Sequence, residues 1–265
     1  MENPYLRLTA EFNRGRLRAV VSSGQAVVIH RLAVMSKDGD WILREDEEAL
    51  EHVLEVLAER QACYRFGAPL DRRWLAGGWS AHLEHRAVGL RLRTDFVTRP
   101  PRVSSADLAA VWLAAAKDEL PVVPLEPLAQ IKKTNREKDY AVIGELARHM
   151  TSPRLQLLYS RSARDLLMLA EAHSDLVVSL LGERPMLAAI AGGRHAIEVA
   201  LDAERRDLMR ANEKRLARYL DAGQEWAAVW RDVLAEIKGR PLAEAHALVV
   251  ERATGVLPFR PGDES

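Results

Sequence analysis

Residues Val20 to Leu43 read VVSSGQAVVIHRLAVMSKDGDWIL, and the fold turns on this stretch. An apolar run, Ala19–Val21, ends in a Ser22-Ser23-Gly24 turn; Gln25–Arg31 follows with a short helical pattern. Lys37-Asp38-Gly39-Asp40 then leads straight into Trp41-Ile42-Leu43. Apolar residues directly behind the carboxylates mark Asp38–Leu43 as the start of a buried strand. Side chains alternate along a strand, so Asp38 and Asp40 share one face of the sheet. Two like charges at that spacing repel, and they resist burial unless a cation sits between them. An ion such as Mg²⁺, held by a few carboxylates and shared with substrate phosphates, answers that need. By itself the pair also fits a solvated strand end. A tight turn of small residues at a helix start adds a second element, because its exposed N–H groups suit phosphate.

A third element lies in Val88–Val97, VGLRLRTDFV. Leu90, Leu92, Thr94 and Phe96 alternate with Arg91, Arg93 and Asp95, so the charged residues share the opposite face. The two arginines can keep Asp95 ionised or steady a triphosphate through charge-assisted hydrogen bonds. The alternative is a set of surface ion pairs, each worth little. Further on, Leu125-Glu126-Pro127-Leu128 precedes Lys132 and then Arg136-Glu137-Lys138-Asp139. Lysine-rich segments of this kind are either phosphate ligands or basic loops between helices.

Strand, small-residue turn, helix and Asp-x-Asp strand, in this order, resemble the nucleotidyltransferase superfamily with the DNA-polymerase-beta-like fold, and its small bacterial members above all. Those proteins carry a Gly-Gly or Gly-Ser turn, Ala-Val, His-Gly, an arginine, a threonine and Asp-x-Asp. Matched without gaps, these are Ser23-Gly24, Ala26-Val27, His30, Ser36, Asp38 and Asp40. Departures occur at Ser23 and Arg31 (glycine in the family), at Val34 (arginine) and at Gly39 (an apolar residue). The third carboxylate of the family comes from a neighbouring strand, where Asp95 falls, and the basic segment matches at Lys132 and at Arg136–Asp139. The likeness covers roughly residues 17–147.

The resemblance implies a metal-dependent nucleotidyltransferase that moves a nucleoside monophosphate from a nucleoside triphosphate to an acceptor hydroxyl. Asp38, Asp40 and Asp95 would be the catalytic carboxylates and hold Mg²⁺ or Mn²⁺. Ser22, Ser23, Gly24, Ser36, Arg91, Arg93, Lys132 and Lys138 would contact the nucleotide. The acceptor stays open between a tRNA, a protein and a small molecule. Two alternatives accompany this reading: a nucleotide-binding protein that has lost turnover, and a toxin–antitoxin component acting on tRNA or on a partner protein.

The chain has 265 residues, 48% hydrophobic and 29% charged, enough for a sizeable core. Thirty-eight basic and 38 acidic residues leave no global attraction to nucleic acid or membrane. The single cysteine, Cys63, excludes an internal disulfide framework and a cysteine-based zinc site. No apolar run approaches the ~20 residues needed to span a bilayer. The polar opening Met1-Glu2-Asn3-Pro4 lacks the signal-peptide pattern, so no membrane partner and a cytoplasmic location are expected.

The expected fold class is α/β (α+β): a nucleotidyltransferase-like mixed sheet with flanking helices over residues 1–148, then a helical C-terminal domain over 149–265. Helices are expected at 6–16, 44–59 (with Asp46 or a neighbour as cap) and 107–116, behind Ser104 or Ser105. Residues 61–89 read as short strands and loops, with a His82-x-x-His85 spacing that on a helix could bind metal. Beyond Pro153, helical patterns run over 154–172, 175–181, 185–210, 212–238 and 242–253, where Trp226 and Trp230 fall on one core-facing stripe. Arg154, Arg161 and Arg164 are either acceptor contacts or ordinary side chains, solvated or paired with Asp165 and Glu171. The tail after Pro258 reads as loose.

Overall fold

A computed structural model describes residues 3–87 and 89–262. Val88, the first residue of the expected strand, lies outside the described residues, as do Met1, Glu2 and 263–265. In chain order the first elements are α1 (Pro4–Phe12), β1 (Ala19–Ser22), α2 (Ser23–Ile29), β2 (Asp38–Leu43), α3 (Glu47–Ala58) and β3 (Cys63–Tyr64). Then come α4 (Arg72–Leu75), β4 (Ala81–Ala87), β5 (Leu90–Val97) and α5 (Ser105–Ala115). The helices α6 (Leu125–Ile131), α7 (Glu137–His149), α8 (Pro153–Tyr159), α9 (Ala163–Ala172) and α10 (Ser174–Leu180) follow. A 3₁₀ segment (Pro185–Gly192), α11 (Gly193–Ala222), α12 (Gln224–Ile237) and α13 (Leu242–Val256) end the chain.

The fold is mixed α/β. Five strands form one sheet in the order β1-β2-β5-β4-β3. β2 and β5 run parallel, and the other neighbours are antiparallel. Outside β1, Val21 exchanges backbone hydrogen bonds with Pro121 O and Val123 N, both at 2.9 Å. By contacts the chain groups into two compact units, Met1–Val123 with Leu216–Ser265, and Pro124–Arg215. The sequence reading drew its boundary at 148/149.

In the first unit Trp41 anchors the covered face of the sheet. It stacks on Phe96 at 5.5 Å, meets Phe12 edge-on at 5.4 Å and donates its indole N–H to Thr9 Oγ1 at 2.9 Å. Asn3 caps α1, and Asp46 caps α3 by accepting from Ala49 N, as expected for Asp46. The same core takes in Trp226, Trp230, Val233 and Ile237 of α12 and Leu242, Ala245, Val249 and Ala253 of α13. Trp226 and Trp230 are thus core residues, and Trp226 donates to Gly67 O at 2.8 Å.

Several expectations need correction. Residues 61–89 hold strands, as expected, but β4 runs for seven residues, so His82 and His85 sit on a strand and not on a helix. Their odd spacing sends His82 to the open face and His85 into the core. The pattern at 154–172 breaks at 160–162, where Ser162 caps α9. The expected restart at Asn212 falls inside α11, whose residues are good helix formers; the break comes at Gly223. The tail is docked as far as Phe259, whose ring meets Trp74 at 4.9 Å. Gly77 leaves room for it, since a Cβ there would overlap the Phe259 carbonyl.

The second unit is helical. Leu157, Leu166, Leu180, Leu187 and Ile197 form one of its cores. Glu204 binds both Arg184, at 2.8 Å, and Arg161. Arg154 pairs with Glu183. Arg154 and Arg161 are therefore engaged in ion pairs, the ordinary alternative for them. Among the described residues no helix is long and apolar enough to cross a membrane.

Candidate functional site

The open face of the sheet is built by strand register. Ser22 on β1 faces Asp40 on β2, Asp40 faces Asp95 on β5, and Asp95 faces His82 on β4. One residue row thus crosses four strands, with Asp40 and Asp95 at its centre. The next row holds Asp38, Arg93 and Glu84, and beyond it Arg91 stands opposite Arg86. Alternation along β5 is the expected one: Leu92, Thr94 and Phe96 are buried, while Arg91, Arg93 and Asp95 lie on the other face.

The turn reaches this row from above. A Cβ on Gly24 would come within 3.1 Å of Ser36 Cβ and 4.0 Å of Asp40 Oδ2. Ser22–Gly24, Ser36 and Asp40 are therefore in close approach, and a side chain at position 24 would push them apart. Ser36 donates to the Asp38 carbonyl at 3.2 Å, and Gln25 holds the Ser36 carbonyl at 3.1 Å. The His30 ring reaches Val123 O at 2.9 Å. Ser23 and Arg31, both in place of a glycine, have φ of 46° and 61°. This is the left-handed region, which glycine occupies without steric cost.

Gly39 has a different cause. It points into the core, where a Cβ would lie 2.5 Å from Tyr5 Cδ1 and 2.7 Å from Trp41 Cζ3. Two aromatic rings fill the place of the apolar side chain, so the strand is tightly packed at this glycine.

Charges on the face are partly matched. Asp38 Oδ1 is buried and has no hydrogen-bond partner; Arg93 Nη1 stands 3.7 Å away. Asp95 Oδ1 accepts from His82 Nδ1 at 2.7 Å and from Arg65 Nη1 at 3.2 Å. Arg91 donates to Glu84 at 2.8 Å, as its surface ion-pair alternative has it. Burial, and next to it the charge of Asp38, pushes the Tyr5 hydroxyl above its ordinary value. A groove of about 560 Å³ borders Asp38, lined among others by Ser36, Lys37, Arg91 and Arg93.

Lys132 and Lys138 belong to the second unit. The Lys132 side chain is buried, its ammonium 3.6 Å from Asp139 Oδ1, and Asp139 also accepts from Thr134 and Arg136. Lys138 is exposed.

Hard carboxylate oxygens on Asp38 and Asp40, one of them orphaned, are the donors a divalent cation needs. Asp95 fits less completely, because both of its partners use Oδ1. Among the described residues no three of His, Cys, Asp and Glu are grouped to hold a metal ion. Arg65, His82 and Glu84 on this face were not legible as site residues. For His82 and Glu84 the signal was the polar half of an alternating strand, His82-x-Glu84-x-Arg86.

No protein-family model matches the chain, and neither a curated protein nor a solved structure matches it.

Proposed function

We propose that the chain is a metal-dependent nucleotidyltransferase of the DNA-polymerase-beta-like kind. The observation that carries this is the register of Ser22, Asp40 and Asp95 on three adjacent strands, with Asp38 on the same face. Left-handed backbone at Ser23 and Arg31, the two positions where the resemblance calls for glycine, supports it independently.

Asp38 and Asp40 would hold the cation, with the remaining oxygen of Asp95 as a further donor, beside the phosphates of a nucleoside triphosphate. When bound, Mg²⁺ or Mn²⁺ supplies neutralisation of the charge developing on the attacking and leaving oxygens. Ser36 and the Ser22–Gly24 turn lie where phosphate oxygens need donors. Arg93, beside Asp38 and lining the groove, would meet a phosphate there.

The test is Mg²⁺-dependent pyrophosphate release, or label transfer from an α-labelled triphosphate, in cell lysate that supplies the acceptor. Equal activity in wild type and Asp38→Asn/Asp40→Asn would reject catalysis.

A second reading is a nucleotide-binding protein without turnover. It is favoured by one observation, the engagement of Asp95 by Arg65 and His82. Calorimetry separates the two: triphosphate binding with no pyrophosphate release supports the binder.

A further inference from the structure

Asp95 is the end of a hydrogen-bonded chain that nucleotide binding alone does not require. Its Oδ1 meets His82 Nδ1 at 2.7 Å, and His82 Nε2 meets Ser80 Oγ at 2.8 Å. A carboxylate only accepts, so Nδ1 carries the ring proton; in the neutral ring Nε2 then accepts from the Ser80 hydroxyl. A hydroxyl on a base, with the base oriented by a carboxylate, is the arrangement that activates a serine nucleophile.

The surroundings hold this chain in place. A Cβ on Gly67 would lie 2.5 Å from His82 Cδ2, so glycine leaves the ring its room. Arg65 N donates to His82 O at 2.8 Å and Ala68 N to Ser80 O at 3.0 Å, which pins the backbone at both positions. Arg65 Nη1 donates to the same Asp95 Oδ1 at 3.2 Å and so helps to fix the carboxylate. His82 is about a quarter exposed, with a side-chain accessibility of 26%.

We infer that Ser80 is an acceptor hydroxyl of this protein, and that the chain transfers a nucleoside monophosphate onto itself at Ser80. The inference rests on the nucleotidyltransferase reading. Ser80 shares the open face with Asp95, and a single imidazole ring separates its hydroxyl from that carboxylate. In the step, Ser80 Oγ forms a bond to the α-phosphorus of the triphosphate. The bond from that phosphorus to the bridging oxygen breaks, and pyrophosphate leaves. The Ser80 proton passes to His82 Nε2. His82 Nδ1–H stays on Asp95, which acts here as a positioning residue.

Two measurements on the full chain test this. The first needs neither metal nor nucleotide: a fluorophosphonate probe in chelating buffer, with the labelled peptide mapped by mass spectrometry. Labelling at Ser80, about a hundredfold slower in His82→Ala, is expected. His82→Gln, which cannot take up the proton, should not restore it. No labelling at Ser80 overturns the inference, whatever becomes of the nucleotidyltransferase reading. The second is incubation with Mg²⁺ and an α-labelled nucleoside triphosphate, with peptide mapping of wild-type protein. Label on the Ser80 peptide, absent from Ser80→Ala and from Asp40→Asn, supports the inference. Label on a lysate acceptor but not on the chain overturns the inference and leaves the reading intact. No label and no pyrophosphate on any molecule overturns both.

Discussion

Asp40 and Asp95 are register partners on two parallel strands, so two carboxylates face each other across the centre of the open sheet face. Like charges so placed repel each other. Asp95 pairs with Arg65 and accepts from His82, both on Oδ1. Asp38, one row away, keeps an orphaned buried oxygen. On the proposed reading a divalent cation would be held beside these carboxylates.

Replacing the central charge should therefore remove the response to the ion, with melts in chelating buffer as the reference for wild type and for Asp40→Asn. With Mg²⁺ and a triphosphate, wild type should melt higher by an amount set by ligand mass action, and the variant should not. Thermal melts in the two buffers decide. A ligand-induced rise that survives in Asp40→Asn removes the carboxylate from the metal site.

Gly39 carries a second expectation. Its Cβ would meet Tyr5 and Trp41, which are held by bonds to Lys37 O and to Thr9 and have little freedom to retreat. Gly39→Ala should cost about 1–3 kcal/mol by overpacking. Urea denaturation of the variant is the check, and a change below about 0.5 kcal/mol would refute the packing argument.

Arg31 tests the backbone behind the resemblance. At φ 61° a non-glycine residue carries strain of about 1–2 kcal/mol, while glycine adds about 0.4–1 kcal/mol of unfolded-chain entropy. Arg31→Gly should thus be neutral or slightly stabilising, and Arg31→Val clearly destabilising. Equal losses in both would mean that the Arg31 side chain, not its backbone, matters.

The half of the site nearest Val20–Leu43 was legible because its signals are local. Asp38 and Asp40 share a face by alternation, and Leu92, Thr94 and Phe96 announced β5 in the same way. β4 was hidden because its inward positions are Ala81, Leu83, His85 and Ala87, a faint apolar rhythm interrupted by a histidine. With β4 unread, His82 had no strand to place it against Asp95, thirteen residues away. Arg65, thirty residues from Asp95, gave no local sign at all. The fit at Gly39 had no local sign, because the two rings that fill its place come from Tyr5 and Trp41, and their positions follow from packing. The role of α12 and α13 was equally non-local: their apolar stripe was visible, but not that the sheet is what it covers.

Buried histidines give the stability a pH dependence. Burial first of all lowers the basicity of His85 and His246; the nearby Arg60 and Arg7 act the same way on His85, while Asp71 partly opposes the effect on His246. A base whose folded pKa is depressed binds more protons when unfolded, between that pKa and its ordinary 6.5. Stability then rises with pH through that window, is complete above it, and is lost on acidification from about 6.5 downward. His246 Nδ1 and the Tyr64 hydroxyl share a hydrogen bond at 2.7 Å, which ties this histidine to the core. Urea midpoints at neutral and mildly acidic pH should fall for wild type and flatten in His85→Gln/His246→Gln. An identical slope in the double variant would exclude these two groups as the cause.

The C-terminal helices carry the last expectation. Trp226, fully enclosed at 1% exposure, donates to Gly67 O, and Trp74 donates to Leu257 O at 3.0 Å. Tyr64 of β3 stacks on His246 of α13. Helices α12 and α13 are therefore part of the core that covers the sheet, although more than 120 residues separate them from β5 in sequence. A chain ended after Ala222 should expose Tyr64, Leu75 and Trp74 and aggregate. The milder variant Trp226→Ala keeps every element and should lose about 3–5 kcal/mol, from a large cavity together with an unpaired Gly67 carbonyl. Light scattering of the truncated chain and urea denaturation of Trp226→Ala are the measurements. A truncated chain that stays monomeric, with near-ultraviolet circular dichroism like that of the same residues in wild type, would show that the sheet has a sufficient core without α12 and α13.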